Sequence, residues 1–202
     1  MSADHYFAEN PRTPERDREV TFMVDGRVYR LTASSGVYSA NRLDPGTAVL
    51  LRKAPLPGPG GGTFLDLGCG YGPISCVLAA SSPDARVYAL DVNRRALDLV
   101  ARNADATGVG DRVVPVTAAE MPEAVTFDEI WSNPPIHVGK ADLHGLLRTW
   151  LPRLAPGGSA WMVVAKHLGA DSLAAWLERE GYPVERYASQ KGFRILRARA
   201  AS

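Results

Sequence analysis

The strongest constraint on the fold is the run Asp66-Leu67-Gly68-Cys69-Gly70-Tyr71-Gly72, which follows the apolar pair Phe64-Leu65 and precedes Pro73. It marks a buried strand turning into a helix, with Pro73 suited to the first helical position. Glycines at such a turn tolerate positive φ and let a ligand approach the backbone closely. A bare strand–helix turn accounts poorly for three alternating glycines behind an acidic residue inside an apolar strand. Dinucleotide-binding loops space their glycines as G-x-G-x-x-G to seat a pyrophosphate at a helix N-terminus. Here the spacing is G-x-G-x-G, and Asp66 precedes it. That pattern suits a ligand end carrying an ammonium, as the methionine part of S-adenosylmethionine does. Asp66 would organise that end directly, through the loop backbone or through water.

From residue 63 onward, apolar runs suited to strands alternate with helical periodicity. Strands are expected at 63–67, 86–90, 112–116, 127–132 and 159–165. The first helix carries Ile74, Val77 and Leu78; the second carries Leu97, Val100, Ala101 and Ala104 and ends near Gly108. A long third helix places Leu143, Leu146, Leu147, Trp150, Leu151 and Leu154 on one face and stops before Pro156-Gly157-Gly158. A fourth, capped by Asp171 or Ser172, presents Leu173, Trp176 and Leu177 and ends at Gly181. Two β-rich stretches, 184–188 and 193–199, flank Gln190-Lys191-Gly192 and close the chain. Alternating β and α units imply a doubly wound, mostly parallel α/β sheet, and the terminal pair implies an antiparallel edge strand.

Upstream, residues 1–19 read as a loose arm. Residues 20–31, broken by Asp25-Gly26, read as a type I′ hairpin with Val20, Phe22, Val24, Tyr29 and Leu31 on one face. A helix is expected from Asp44-Pro45-Gly46 through Lys53. Residues 55–62 hold three prolines and four glycines and read as a linker. The expected division is therefore 1–54 as an N-terminal extension packed on the core, 55–62 as linker and 63–202 as the main domain. Hydrophobic residues make up 46% of the 202 and charged residues 22%, enough for one sizeable core in an α/β domain. No apolar run approaches the roughly 18 residues of a membrane span, and Met1-Ser2-Ala3-Asp4-His5 is no signal peptide. With only Cys69 and Cys76 as cysteines, a reducing, cytoplasmic setting is expected. The net charge of +1 neither favours nor excludes a polyanionic partner, which would have to meet a local basic face.

Three further stretches carry chemistry. Asp91-Val92-Asn93 ends the second strand, where a carboxylate accepts both hydroxyls of a ribose; Asn93 is also a credible helix cap. After the third strand, in Thr117-Ala118-Ala119-Glu120, either backbone contacts around Ala119 or the Glu120 side chain would meet an adenine. Ser132-Asn133-Pro134-Pro135-Ile136 follows the fourth strand. Two prolines stiffen the chain and withhold two donors, leaving carbonyls free to accept. Asn133 Oδ1 and the Pro134 carbonyl are then two acceptors for the N–H groups of a planar amine, whose lone pair they would aim at a methyl donor. Cysteine-based methylation of a pyrimidine carbon is disfavoured, because it needs a nucleophilic thiol at the base. A metal is not expected either, since His5, His137, His144 and His167 lack ligand spacing. His137 is either a substrate contact or an ordinary loop histidine.

The combination of Asp66-Leu67-Gly68-Cys69-Gly70-Tyr71-Gly72, Asp91-Val92-Asn93 and Ser132-Asn133-Pro134-Pro135-Ile136 resembles the small-domain family of ribosomal RNA small subunit methyltransferase C. His5-Tyr6-Phe7, Ser35-Gly36-Val37-Tyr38-Ser39, Leu43-Asp44-Pro45-Gly46-Thr47 and Lys166-His167-Leu168-Gly169-Ala170 extend the likeness over nearly the whole chain. The short, single-domain members are the better match. The resemblance implies a Rossmann-like class I methyltransferase with a seven-stranded sheet and S-adenosylmethionine as cofactor. It also implies guanine-N2 methylation in 16S rRNA, with rRNA or the small ribosomal subunit as partner and the protein a monomer or weak dimer. On that reading Asn133, Pro134, Pro135 and Ile136 are catalytic. Asp66, Gly68, Cys69, Gly70, Tyr71, Gly72, Asp91, Val92, Asn93, Ala119, Glu120 and Asn133 hold the cofactor, and Tyr38, Ser39, His137 and Lys140 meet the substrate. The target base would stack on Ile136, Tyr38 or Phe7. Candidate phosphate contacts are Arg42, Lys140, Lys191, Arg194, Arg197 and Arg199, the basic C-terminal strand being the best cluster. Competing readings are a protein glutamine methyltransferase using the same Asn-Pro-Pro chemistry, a small-molecule methyltransferase, and a non-catalytic S-adenosylmethionine-binding module.

Overall fold

A computed structural model describes residues 16–37, 42–135 and 139–200. The chain begins with β1 (Asp17–Val24) and β2 (Arg27–Ser34), joined at Asp25 and Gly26, whose φ angles are 47° and 75°. Two consecutive positive φ angles make the type I′ turn that the Asp-Gly pair foreshadows. The register pairs Val20 with Leu31 and Phe22 with Tyr29, so one face of the ribbon is apolar. Helix α1 (Pro45–Lys53) follows, capped by Asp44. Then come β3 (Gly62–Leu67), α2 (Pro73–Ser81), β4 (Ala85–Leu90), α3 (Arg94–Ala106), β5 (Val113–Val116), β6 (Phe127–Ser132), α4 (Lys140–Trp150), β7 (Leu154–Ala165), α5 (Ala170–Arg179), β8 (Val184–Gln190) and β9 (Phe193–Arg199).

Strands β3 to β9 form one seven-stranded sheet in the order β5-β4-β3-β6-β7-β9-β8. The pairs from β5 to β7 are parallel; β9 is reversed between β7 and β8 and supplies the antiparallel element expected at this edge. Helices α1, α2 and α3 pack on one face around Leu50, Val77 and Val100, with Trp131 and Trp161 beneath them. Helices α4 and α5 cover the other face around Leu147, Trp176 and Leu177. Alternation along β3 sends Phe64 to the first face and Leu65 and Leu67 to the second.

Four boundaries depart from expectation. The long third helix ends at Trp150; Leu151–Arg153 form a short 3-10 turn, and Leu154 already begins β7 opposite Phe127. Leu151 and Leu154 stay buried in the same cluster as α4, so helical periodicity outlives the helix. Pro156-Gly157-Gly158 lies inside β7 at a register shift. A Cβ at Gly158 would stand 2.9–3.0 Å from three carbonyl oxygens, so glycine is what lets this bulge close. Helix α5 is entered through Gly169 at φ 105° with no side-chain cap; Asp171 instead pairs with Arg186 and Arg194. Strand β8 runs to Gln190, because Lys191 and Gly192, at φ 50° and 81°, make another two-residue type I′ turn.

The hairpin is bound to the domain by polar contacts as well as by Val20, Leu31 and Ala33 packed on Cys76 and Leu99. Asn103 of α3, 1% exposed, accepts from Thr32 N at 2.7 Å and donates to Thr32 O and Tyr71 O, both at 2.8 Å. Asn93 Nδ2 donates to Gly36 O, and Arg95 donates to Ser35 O. Asn103→Ala should orphan one amide and two carbonyls and cost about 2–4 kcal/mol of unfolding free energy. Urea titration checks this; a loss below about 1 kcal/mol would mean that water replaces the side chain.

Candidate active site

Chain direction in the sheet reverses between β3 and β6: from β3 it winds through β4 to β5, and from β6 through β7. The carboxyl ends of such neighbours frame a crevice, the usual ligand position in an open α/β sheet. Ser132 Oγ donates to Leu67 O at 2.7 Å, tying the two strand ends together.

On the β3 side, Gly68 N and Cys69 N both donate to Leu90 O. Gly68, Gly70 and Gly72 have φ angles of 77°, 54° and 87°, values at which other residues are strained. A Cβ on Gly68 or Gly70 would meet nothing within 4 Å, whereas one on Gly72 would press on Val100 at 3.1 Å. Two glycines thus leave backbone bare toward open space, and the third lets α2 and α3 close up. Asp66 lies beneath this loop, fully buried. Its Oδ2 accepts from Ser75 N and Ser75 Oγ at 2.9 and 2.6 Å, while Oδ1 has no partner. Burial pushes its pKa up to about 7 against the pull of the Ser75 bonds. Tyr71 is buried with an unpartnered hydroxyl, raised by burial and secondarily by the Asp44 charge.

At the end of β4, Asp91 accepts from Gly70 N through Oδ2 at 3.0 Å and from Asn93 N through Oδ1 at 2.9 Å. Burial raises its pKa. Asn93 caps α3 by accepting from Arg95 N at 3.1 Å, the alternative role read from its position. Val92 and Ala119 are exposed. Glu120 curls back onto Thr117 N and Oγ1 and pairs with Arg94 at 2.7 Å. The Thr117 bonds and then Arg94 bring its pKa down to about 2.

On the β6 side, Pro134 and Pro135 are buried and Asn133 is half-buried. Asn133 Nδ2 donates to Asp44 Oδ1 at 2.7 Å and to Thr47 Oγ1 at 3.1 Å. Among the described residues Asn133 Oδ1 has no hydrogen-bond partner. The sequence marked Asp44 as the start of a helix and Asp44 and Thr47 as part of a stretch resembling the family, without a role in the site for either, and Ser75 not at all. Asp44-Pro45 was the available signal, but nothing local says that the cap of α1 lands against residue 133. Tyr38, Ser39, Ile136 and His137, and with them the question of what stacks on the target base, lie outside the described residues. Lys140 is exposed at the start of α4.

The basic C-terminal strand does not form one cluster. Arg194 is held by Asp171, and Arg197 lies over the Trp161 ring and donates to Ser159. Arg199, opposite Ser159, is about 17 Å along β9 from Arg194, toward the other end of the sheet. Strand length and alternation separate residues that sequence counts together. Both cysteines are buried, and burial raises the Cys69 thiol pKa well above normal and that of Cys76 to about 12, so neither is a ready nucleophile. Among the described residues no group of three or more His, Cys, Asp or Glu side chains is placed to hold a metal, and no helix is long and apolar enough to cross a membrane.

The model of the methyltransferase small domain family matches residues 28–197. The chain belongs to this family. Its sheet is that of the Rossmann-like class I S-adenosylmethionine-dependent methyltransferases. The uncharacterized protein YbxB of Bacillus subtilis (strain 168) is 32% identical over 199 residues, 98% of each chain. Ribosomal RNA small subunit methyltransferase C of Hahella chejuensis is 38% identical over 168 residues, covering 81% of this chain and 47% of the relative. A T. thermophilus 16S rRNA N2 methyltransferase, solved in complex with AdoMet and guanosine, superposes with a TM-score of 0.77 at 26% identity, over 94% of this chain and 52% of that one. The methyltransferase thus spans about half the length of these named rRNA enzymes.

S-adenosylmethionine fits the residues present. The bare backbone at Gly68 and Gly70 would admit it. The orphaned Asp66 Oδ1, buried beneath the loop, would be an acceptor for its ammonium end, reached directly, through the loop backbone or through water. Because the folded pKa of Asp66 stands above its unfolded value of 3.8, the folded state holds its proton longer, and this contribution to stability is lost as pH rises through about 7. Between about pH 4 and 7 Asp66 should reduce ligand-free stability by up to about 1.4 kcal/mol per pH unit. Asp66→Asn should flatten that slope in urea titrations at pH 5, 6 and 7; an unchanged slope would assign it to other groups.

Proposed function

We propose that this methyltransferase moves the methyl group of S-adenosylmethionine to the exocyclic N2 amine of a guanine in 16S rRNA. The observation that carries this reading is the polarity of the Asn133 amide: its NH₂ is committed to Asp44 and Thr47, which leaves Oδ1 as an acceptor, and the Pro134 carbonyl would be the second. An aromatic amine delocalises its lone pair into the ring and is a weak nucleophile. Two acceptors, each taking one N–H, hold it, favour a pyramidal nitrogen and stabilise the positive charge that grows there. When bound, the cofactor supplies a sulfonium-activated methyl, so that an N–C bond forms as the S–C bond breaks and the nitrogen releases a proton.

Charge placement supports an RNA substrate. Lys140, Lys166, His167 and Lys191 are exposed on the segments that leave the carboxyl ends of β6 and β7 or face them, and Lys166 N donates to Gly192 O at 2.8 Å. None of the three lysines pairs with a carboxylate among the described residues. Asp66, Asp91 and Glu120 lie on the β3–β4 half, whereas on the β6 half Asp44 is bonded to Asn133 and Asp171 is paired with Arg186 and Arg194. A phosphate backbone would meet cations on one half, and the sulfonium and ammonium would meet carboxylates on the other. The solved relative bound to AdoMet and guanosine supports guanine as the base.

Asn133→Ala should lower methyl transfer at least about 100-fold, a loss much larger than any change in the dissociation constant for S-adenosylmethionine measured by calorimetry. Nucleoside mass spectrometry of rRNA from a strain lacking the gene should show the loss of one N2-methylguanosine. Persistent turnover in Asn133→Ala would remove Asn133 from the chemistry, and an unchanged nucleoside profile would remove 16S guanine as the substrate.

A further inference from the structure

We infer that the first turn of α1 is a polarity key for the active-site amide: Asp44 and Thr47 act as positioning residues that hold Asn133 with its oxygen turned toward the substrate amine. The inference rests on the reading of Asn133 Oδ1 as a substrate acceptor, and explains how that orientation is maintained.

An asparagine amide is nearly symmetric in shape, and a half-turn about its last bond exchanges donor for acceptor. In one orientation Asn133 offers an amine two acceptors together with Pro134. In the other it presents an NH₂ to an NH₂. The fold decides between them with the Asp44 carboxylate, which can only accept, and the Thr47 hydroxyl adds a second bond to the same NH₂. Asp44 Oδ1 takes Nδ2 at 2.7 Å and Thr47 Oγ1 takes it at 3.1 Å. A flipped amide would set its own oxygen against a carboxylate oxygen at that distance, so the wrong orientation loses a charge-assisted bond and gains a repulsion.

The key is itself held rigidly. Asp44 Oδ1 also accepts from Gly46 N at 2.7 Å and from Thr47 N at 3.0 Å, capping α1. Pro45 restrains Asp44 to the extended conformation that a cap needs, and it sits at φ −55°, ψ 135°. Gly46 leaves room for the ring of Phe193, whose Cε1 would be 3.1 Å from an added Cβ. Val49, Leu50 and Leu51 then anchor the helix in the cluster that holds Trp161 and Ile195. Thr47 is 5% exposed, so its hydroxyl is not there to meet solvent. A helix cap that only ended α1 would need no third acceptor contact across 89 residues of sequence.

Thr47→Val keeps shape and removes one acceptor; Thr47→Ser restores it. Asp44→Ser keeps a capping oxygen one atom too short to span to Asn133. Methyl transfer is read in single turnover with rRNA from the deletion strain, alongside cofactor affinity by calorimetry and the side-chain amide signals of Asn133 by NMR. Thr47→Val and Asp44→Ser should each lower the transfer rate about 10- to 100-fold with cofactor affinity within twofold, and Thr47→Ser should stay near wild type. The Asn133 NH₂ protons should lose their exchange protection in the two slow variants. A wild-type rate in Thr47→Val, a loss expressed wholly as weaker cofactor binding, or unaltered Asn133 amide signals would each overturn the inference. Failure of the wild-type protein to methylate RNA would instead overturn the proposed substrate, while the amide signals still decide whether the key exists.

Discussion

The organisation of the methyltransferase depends on a single topological constraint: the two central strands of its sheet, β3 and β6, send the chain away in opposite directions. No helix can then cover the gap above their carboxyl ends, and loops meet there instead of secondary structure. Asp66 and Asn133 enter from those ends, Asp91 from the neighbouring end of β4, and Asp44 and Thr47 from the first turn of α1. The bond from Ser132 to Leu67 O fixes the width of the gap, and the bonds from Gly68 N and Cys69 N to Leu90 O fix its floor.

Across this gap the electrostatics are divided. Asp66 and Asp91 on the β3–β4 half are desolvated enough to raise their pKa values, while the described lysines near the crevice lie on the other half, where the Asp44 carboxylate is already bonded to Asn133. A cationic donor and an anionic polymer would otherwise attract each other's partners. On the proposed reading, the sulfonium donor would meet Asp66 and Asp91 on one arm of the sheet and an RNA backbone would meet the lysines on the other. Burial also removes the alternatives, since the thiols are pushed toward their neutral form.

Much of this was legible in the sequence, for reasons that can be named. The glycine run, the Asp-Gly turn and the β/α alternation are local signals, and each appears in the fold within a few residues of its expected place. The long third helix was overrun because Leu151 and Leu154 keep its apolar rhythm while Gly157 and Gly158 allow a bulged strand. The C-terminal arginines looked like one patch because a sequence shows neither which face a strand residue takes nor that Asp171 pairs with Arg194. The contact between Asp44 and Asn133 was out of reach altogether. It joins residues 89 apart, and both ends have a sufficient local explanation, one as a cap and one as an acceptor for the substrate amine.

The three-way grip of Asn103 on Thr32 and Tyr71 makes the N-terminal ribbon and the glycine loop share one fate. Free-energy coupling between two segments runs equally in both directions. A molecule that quiets the loop therefore also quiets the ribbon, and a chain shorn of its ribbon would have to order the loop at the ligand's expense. What looks in the sequence like an appendage is, in energetic terms, part of the support of the glycine loop.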